Sequence, residues 1–103
     1  PIHTSYRDIS SHHLYVLRIN YSSFGTSRAR LMNALKEEQI LTQVHYLPVT
    51  SQPFYSDLGY KTDEFPNSLK FYQEALSIPL YFSLSDNDQE KVIELIKENL
   101  SKN

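Results

Sequence analysis

The apolar and polar positions of this chain fall into blocks that predict strands alternating with helices. Residues 13–20 (HLYVLRIN) are rich in branched and aromatic side chains, which favours a strand covered largely on both faces. Residues 40–46 (ILTQVHY) are predicted to form a second strand, in which successive side chains, His45 among them, point to alternating faces. Residues 77–82 (SIPLYF) predict a third strand, and Pro79 favours an edge position because proline supplies no donor to a strand ladder.

Other segments carry the signals of helices. Pro53 suits the first turn of a short helix, and Gly59 suits the left-handed position just past its end. Gly25 suits a turn with positive φ, and the last helix is predicted to be capped by Ser85, whose hydroxyl can bind a free backbone donor. The predicted helices cover residues 28–38, 52–58, 65–76 and the stretch that follows Ser85.

The order of these elements predicts the fold class. It is strand, helix, strand, short helix, helix, strand, helix, which is typical of an α/β fold. We expect two layers, with a small sheet of about three strands and helices packed mainly on one face. The length of 103 residues suits one domain. Residues 1–11 are expected to be a polar linker or arm, and residues 12–103 the domain itself.

Composition narrows the classes of function. The formal net charge is −2 and the charges are interspersed, so neither a nucleic-acid partner nor a polybasic membrane anchor is expected. The apolar runs are far shorter than the roughly 20 residues that a membrane span needs. Cysteine is absent, which excludes disulfides and a cysteine nucleophile and fits a reducing compartment. We therefore expect a cytoplasmic protein.

Common catalytic and metal-binding motifs are missing from the sequence. Four histidines are present, but none is spaced from another as zinc ligands are. His12 and His13 are adjacent, and in a strand they would point to opposite faces, so no metal site is expected. With two glycines the chain has no phosphate-binding loop, and it has no G-x-S-x-G nucleophile turn.

Residues 41–60 (LTQVHYLPVTSQPFYSDLGY) hold the best candidates for contact with a ligand. His45 and Tyr46 stand together near the end of the predicted second strand. Two interpretations of His45 stay open: its ring satisfies a backbone carbonyl, or it hydrogen-bonds a polar ligand at the edge of the sheet. Tyr46, Tyr55 and Tyr60 lie in irregular sequence, where an aromatic ring can stack on a base or a sugar.

At this point the sequence resembles a known family. The segments are HHLYVLRI at residues 12–19, SRARLMNALKEEQILTQVHYLPVTSQPFYSDLGY at 27–60, and FPNSLKFYQEALSIPLYFSLSDNDQEKVIELI at 65–96. In this order they are similar to the C-terminal small domain of the DegT/DnrJ/EryC1/StrS nucleotide-sugar aminotransferases, which are fold-type I pyridoxal-phosphate enzymes. The nearest branch is the pseudaminic acid and spore-coat polysaccharide type. The most specific elements are VHY-x-P, QPFY and LGY.

The resemblance implies an enzyme larger than this chain. Family members are homodimers, and their large N-terminal domain holds pyridoxal phosphate and supplies the lysine that forms an imine with it. No lysine here lies in a similar motif, so we expect the large domain to be missing and the chain alone to be inactive and to bind no cofactor. The parent would transfer an amino group from an amino acid, with glutamate as the expected donor, to a keto-sugar nucleotide for surface polysaccharide.

The resemblance also assigns roles to residues. His45 and Tyr46 match the family's His-Tyr pair, so both are expected to bind the nucleotide-sugar substrate, while no residue of this chain is expected to be catalytic, to bind the cofactor or to bind a metal. Gln39 stands where the family usually has glycine, and a non-glycine there must accept a strained backbone angle or shift the helix end. Leu69 stands where an acidic residue is common.

Two other interpretations compete with a catalytic fragment. The chain can be a stand-alone module, left by a split gene, that binds nucleotide sugars without catalysis. It can also be a dimerisation domain with a structural role alone. Neither alternative needs the lysine that transamination requires.

Overall fold

The computed structural model describes residues 11–101. Its elements, in order, are β1 (Tyr15–Arg18), α1 (Arg28–Glu37), α2 (Pro53–Asp57), α3 (Pro66–Glu74), β2 (Ala75–Ile78) and α4 (Asp86–Ser101). Short 3₁₀ turns occupy Tyr21–Phe24, Val49–Ser51 and Thr62–Glu64. The predicted arm of residues 1–11 lies almost wholly outside the described residues.

The two strands form an antiparallel sheet. Leu17 of β1 lies opposite Leu76 of β2, and Val16 lies opposite Ser77. Because side chains alternate along a strand, Leu17 and Leu76 share one face of the sheet while Val16 and Ser77 share the other. The small α/β fold predicted from the sequence is confirmed.

The hydrophobic core lies on the Leu76 face. Leu35 of α1 and Leu76 of β2 are fully buried, and side chains from α4 complete the cluster. Burial raises the pKa of Tyr21 to about 12, although the positive charge of Arg28 acts against the shift, so this core phenol stays neutral at physiological pH. The core members are Ile19, Tyr21, Leu31, Leu35, Ile40, Leu76, Val92 and Ile96.

The helix boundaries follow local signals in the sequence. The Ser27 side chain accepts a hydrogen bond from the Arg30 amide and caps α1. Ser85 does the same for the Asp88 amide, at 3.1 Å, at the start of α4. Gly25 and Gly59 both have positive φ, as predicted.

The sheet has fewer strands than predicted. Residues 40–46 do not form a regular strand; they contribute one antiparallel bridge, between Gln43 and Ser77, so the sheet has two strands rather than about three. In this two-stranded sheet β2 is an edge strand, as predicted for residues 77–82, although the bridge from Gln43 covers its outer side at Ser77. Pro79 is accommodated since β2 ends at Ile78, one residue earlier, where no ladder donor is needed.

Two further findings concern membrane-spanning helices and metal-binding groups in the described part of the chain. None of the helices in the described part of the chain combines the length and apolar character needed to cross a bilayer. Residues 11–101 also contain no group of three or more acidic, histidine or cysteine side chains arranged to hold a metal ion.

Candidate functional site

The segment that carries His45 is anchored at both ends and in its middle. Ile40 is a core residue whose amide donates to the Leu35 carbonyl at 2.9 Å. In the middle, the Gln43 amide donates to the Ser77 carbonyl at 3.1 Å, and the Ser77 amide donates to the Gln43 carbonyl at 2.8 Å. Pro48 is buried and closes the segment. An extended stretch without a ladder is thereby held against β2.

His45 is bound to the sheet through its side chain. Its Nδ1 lies 2.8 Å from the Ser77 hydroxyl oxygen, and the imidazole is half-buried. The sequence suggested a backbone carbonyl as the structural partner of this ring; the partner is a serine hydroxyl. Sequence reasoning did not single out Ser77, the residue whose hydroxyl contacts the His45 ring. Its signal was a small polar side chain inside the apolar run of β2, where a buried hydroxyl needs a partner.

Tyr46 is presented to solvent beside His45. The two ring centroids are 4.7 Å apart and the ring planes meet at 81°, an edge-to-face arrangement. Tyr46 is 72% exposed, so its ring is accessible at this edge of the sheet. His45 and Tyr46, which the sequence predicts as a pair, therefore lie side by side. The imidazole is hydrogen-bonded to Ser77, and the phenol ring is exposed.

An open cleft of about 560 Å³ lies at this edge of the sheet. Its wall combines imidazole, amide and hydroxyl groups with aromatic and aliphatic ones, which suits a sugar or a base better than a metal ion. The lining residues are His13, Leu14, Leu41, Gln43, His45, Tyr46, Ser77, Ile78, Pro79, Leu80 and Tyr81. The cleft is thus a hydrogen-bonding and stacking surface built around His45.

The cleft residues do not fit pyridoxal phosphate on their own. No lysine, arginine or carboxylate lines the described cleft, so it offers neither an amine for an imine nor a charged partner for a phosphate. Lys61 lies in the turn before Thr62–Glu64, and Lys91 pairs with Glu38 at 3.8 Å on the surface. In the described part of the chain, no group that lines the cleft could form the imine.

Other sequence candidates lie elsewhere. Tyr55 and Tyr60 contact each other, with ring centroids 6.3 Å apart, outside the cleft that contains His45. His13 lines the cleft, but β1 begins only at Tyr15, so the argument that His12 and His13 diverge within a strand does not apply. His3 lies outside the described residues.

Curated proteins similar to this chain include polysaccharide and sugar enzymes. Spore coat polysaccharide biosynthesis protein SpsC of Bacillus subtilis is 43% identical over 88 residues, which is 84% of this chain and 23% of that protein. The UDP-4-amino-4,6-dideoxy-N-acetyl-beta-L-altrosamine transaminase of Helicobacter pylori is 31% identical over 85 residues, which is 82% of this chain and 22% of that protein. The chain therefore spans about a quarter of the length of these relatives.

Solved structures agree with the sequence relatives. Spr1654 from Streptococcus pneumoniae, described as a candidate sugar aminotransferase, matches in its PMP form with a TM-score of 0.79 and 30% identity, over 90% of this chain and 23% of the other. Its PLP form also matches with a TM-score of 0.79. The model of the DegT/DnrJ/EryC1/StrS aminotransferase family matches residues 1–97. This chain belongs to the DegT/DnrJ/EryC1/StrS aminotransferase family.

Proposed function

We propose that this chain is the small domain of an aminotransferase that acts on nucleotide sugars. The parent protein transfers an amino group from an amino acid, with glutamate as the donor, to a keto-sugar nucleotide used for surface polysaccharide. Family membership supports the reaction class, and the names of the Bacillus and Helicobacter relatives support the substrate class. The division into an arm, residues 1–11, and the small domain, residues 12–103, stays part of this proposal.

The observation that carries the proposal is the cleft at His45. It presents an imidazole anchored to Ser77, an exposed phenol and a backbone segment fixed by Gln43, but no amine and no carboxylate. Such a surface fits one wall of a sugar-nucleotide site, because sugars are held by hydrogen bonds and by aromatic faces. His45 would hydrogen-bond the sugar or the diphosphate, and Tyr46 would pack on the ligand.

We assign the cofactor to a part of the parent outside this chain. Pyridoxal phosphate supplies an electron sink for transamination when it is bound. The described residues of this chain would orient the sugar and exclude water on one side. The family resemblance is also the support for a cytoplasmic homodimer as the parent form.

A titration tests the binding role. Because one wall of a site recovers only part of the binding energy, the chain alone should bind a UDP-sugar such as UDP-N-acetylglucosamine with millimolar affinity at best. Amide and imidazole NMR shifts would follow the titration, and His45→Ala should remove the response. Tyr55→Phe, outside the cleft, is the control and should change nothing. Micromolar binding would instead favour the stand-alone binding module.

A second experiment tests whether the chain is inactive without the rest of the parent. The chain is mixed with pyridoxal phosphate, an amino donor and a keto-sugar nucleotide, and then treated with borohydride. Since no lysine lines the described cleft, we expect neither turnover nor a borohydride-stable adduct at one specific side chain. Site-specific trapping at one lysine accompanied by turnover would contradict the assignment of the cofactor to another domain.

A further inference from the structure

Ser77 is a buried polar residue in the middle of β2. It is 5% exposed, and its neighbours Ala75 and Leu76 are apolar and fully packed. A strand interior of this kind ordinarily holds an apolar side chain on both faces, since a buried hydroxyl without a partner is unfavourable. The presence of serine at this position calls for a partner, and that partner is the His45 ring.

Three hydrogen bonds join Ser77 to the segment that carries His45. Two are backbone bonds with Gln43, at 2.8 and 3.1 Å, and the third joins the Ser77 hydroxyl and His45 Nδ1 at 2.8 Å. One residue of β2 therefore sets both the position of the chain two residues before His45 and the orientation of its ring. With Nδ1 directed at β2, the opposite nitrogen, Nε2, is left for the cleft.

The donors and acceptors around the Ser77 hydroxyl favour one tautomer of the neutral His45 ring. A serine hydroxyl has one proton to donate, and His45 Nδ1 is its only hydrogen-bond partner among residues 11–101. If Nδ1 carried the proton, the buried hydroxyl hydrogen would have no acceptor within the described chain. If the hydroxyl donates to Nδ1, the buried hydroxyl and Nδ1 are both satisfied and the ring proton sits on Nε2.

We infer that Ser77 is a positioning residue that holds His45 as the Nε2–H tautomer, so that the cleft selects ligands presenting an acceptor oxygen to this nitrogen. The inference deepens the proposed function and rests on it for the ligand class. A phosphate oxygen, a carbonyl oxygen and the lone pair of a sugar hydroxyl share the required chemistry. An ammonium group, which only donates, is disfavoured at this position.

The tautomer can be measured without any ligand. In the chain with ¹⁵N-labelled histidine, at about pH 8.5 where free imidazole is neutral, the ring nitrogen shifts identify the protonated nitrogen. We expect His45 to have a bare Nδ1 and a protonated Nε2. Ser77→Ala should move the shifts toward the tautomer mixture of an unconstrained histidine, and Ser77→Thr, which keeps the hydroxyl, should restore them. A protonated Nδ1 in the wild type would overturn the inference.

Hydrogen exchange at the Gln43 amide distinguishes a local loss of structure in Ser77→Ala from a loss of His45 ring positioning. The amide's hydrogen bond to the Ser77 carbonyl does not involve the hydroxyl, so its exchange protection should be the same in wild type and in Ser77→Ala. A changed tautomer with unchanged Gln43 protection supports a positioning role. An unchanged His45 tautomer in Ser77→Ala contradicts it.

Ligand titrations then identify the source of the acceptor oxygen. UDP and N-acetylglucosamine are titrated separately, and the one that shifts His45 Nε2 supplies the oxygen. Ser77→Ala should weaken that binding between about two- and tenfold, the range for one net hydrogen bond. A ligand shift at Nδ1 instead of Nε2 would refute the inference. Because the tautomer is read in the free chain, its failure is distinguishable from a failure to bind nucleotide sugars.

Discussion

Gln39 has a backbone conformation that amino acids with side chains seldom adopt. Its φ is +62°, in the left-handed region. Around it, the Ile40 amide donates to the Leu35 carbonyl at 2.9 Å and the Gln39 amide donates to the Lys36 carbonyl at 3.0 Å. This pair of bonds, with Ile40 packed in the same core as Leu35, is a Schellman motif that ends α1. Of the two outcomes expected from the sequence at this position, a strained angle or a shifted helix end, the structure shows the strained angle.

Replacing Gln39 by glycine should stabilise the domain. Glycine adopts positive φ without the steric cost that a Cβ imposes, and part of this gain is offset by its greater freedom in the unfolded chain. The expected increase in the free energy of unfolding is roughly 1 kcal/mol. Urea denaturation followed by circular dichroism would measure it.

Gln89→Gly is the matched control for this change. Gln89 is exposed within α4, so the same substitution there should lower the free energy of unfolding by about 1 kcal/mol. Opposite signs for the two substitutions would demonstrate that the backbone angle, and not the loss of the glutamine side chain, is responsible. A destabilised Gln39→Gly would contradict the argument.

The candidate site was only partly predictable at the level of single residues. His45 and Tyr46 stand out in the sequence because polar and aromatic side chains meet beside a proline. Ser77 does not stand out, because it lies 32 residues along the chain from His45 and its partner depends on which segments become neighbours. A hydroxyl in an apolar strand signals that a partner exists, but only the fold identifies it.

Among the elements, the four helices were predicted, although α3 ends at Glu74 and the helix predicted over residues 65–76 runs into β2; the second predicted strand, residues 40–46, does not form. Helix ends depend on local signals, such as Ser27, Ser85 and Gly59, which act within a few residues of themselves. A strand depends on partners distant in sequence. Residues 40–46 make one backbone bridge to β2, at Gln43, and one side-chain contact, from His45 to Ser77.

At the scale of the whole molecule, an exposed aromatic face stands apart from the cleft. We define this aromatic face as Phe54, Tyr55, Leu58, Tyr60 and Phe65. Neighbouring rings lie between 5.2 and 6.4 Å apart, and Phe54 and Leu58 are 67% and 62% exposed. Tyr55, Tyr60 and Phe65 are partly covered within the described chain, yet remain 39%, 49% and 40% exposed. Contiguous apolar surface of this kind marks a surface for association.

We expect the isolated chain to self-associate through the aromatic face, with a second copy covering it. Sedimentation velocity from micromolar to millimolar concentration should show a shift from monomer to dimer. Phe54→Ser should raise the dissociation constant by about tenfold, since large aromatic side chains near the centre of an interface carry much of its energy. Phe82→Ser is the control, because Phe82 is fully exposed, at 108%, but belongs to no ring contact of this face. If both substitutions weaken association equally, the aromatic face is not the contact; if the wild type stays monomeric throughout, exposed aromatic area alone does not drive association here.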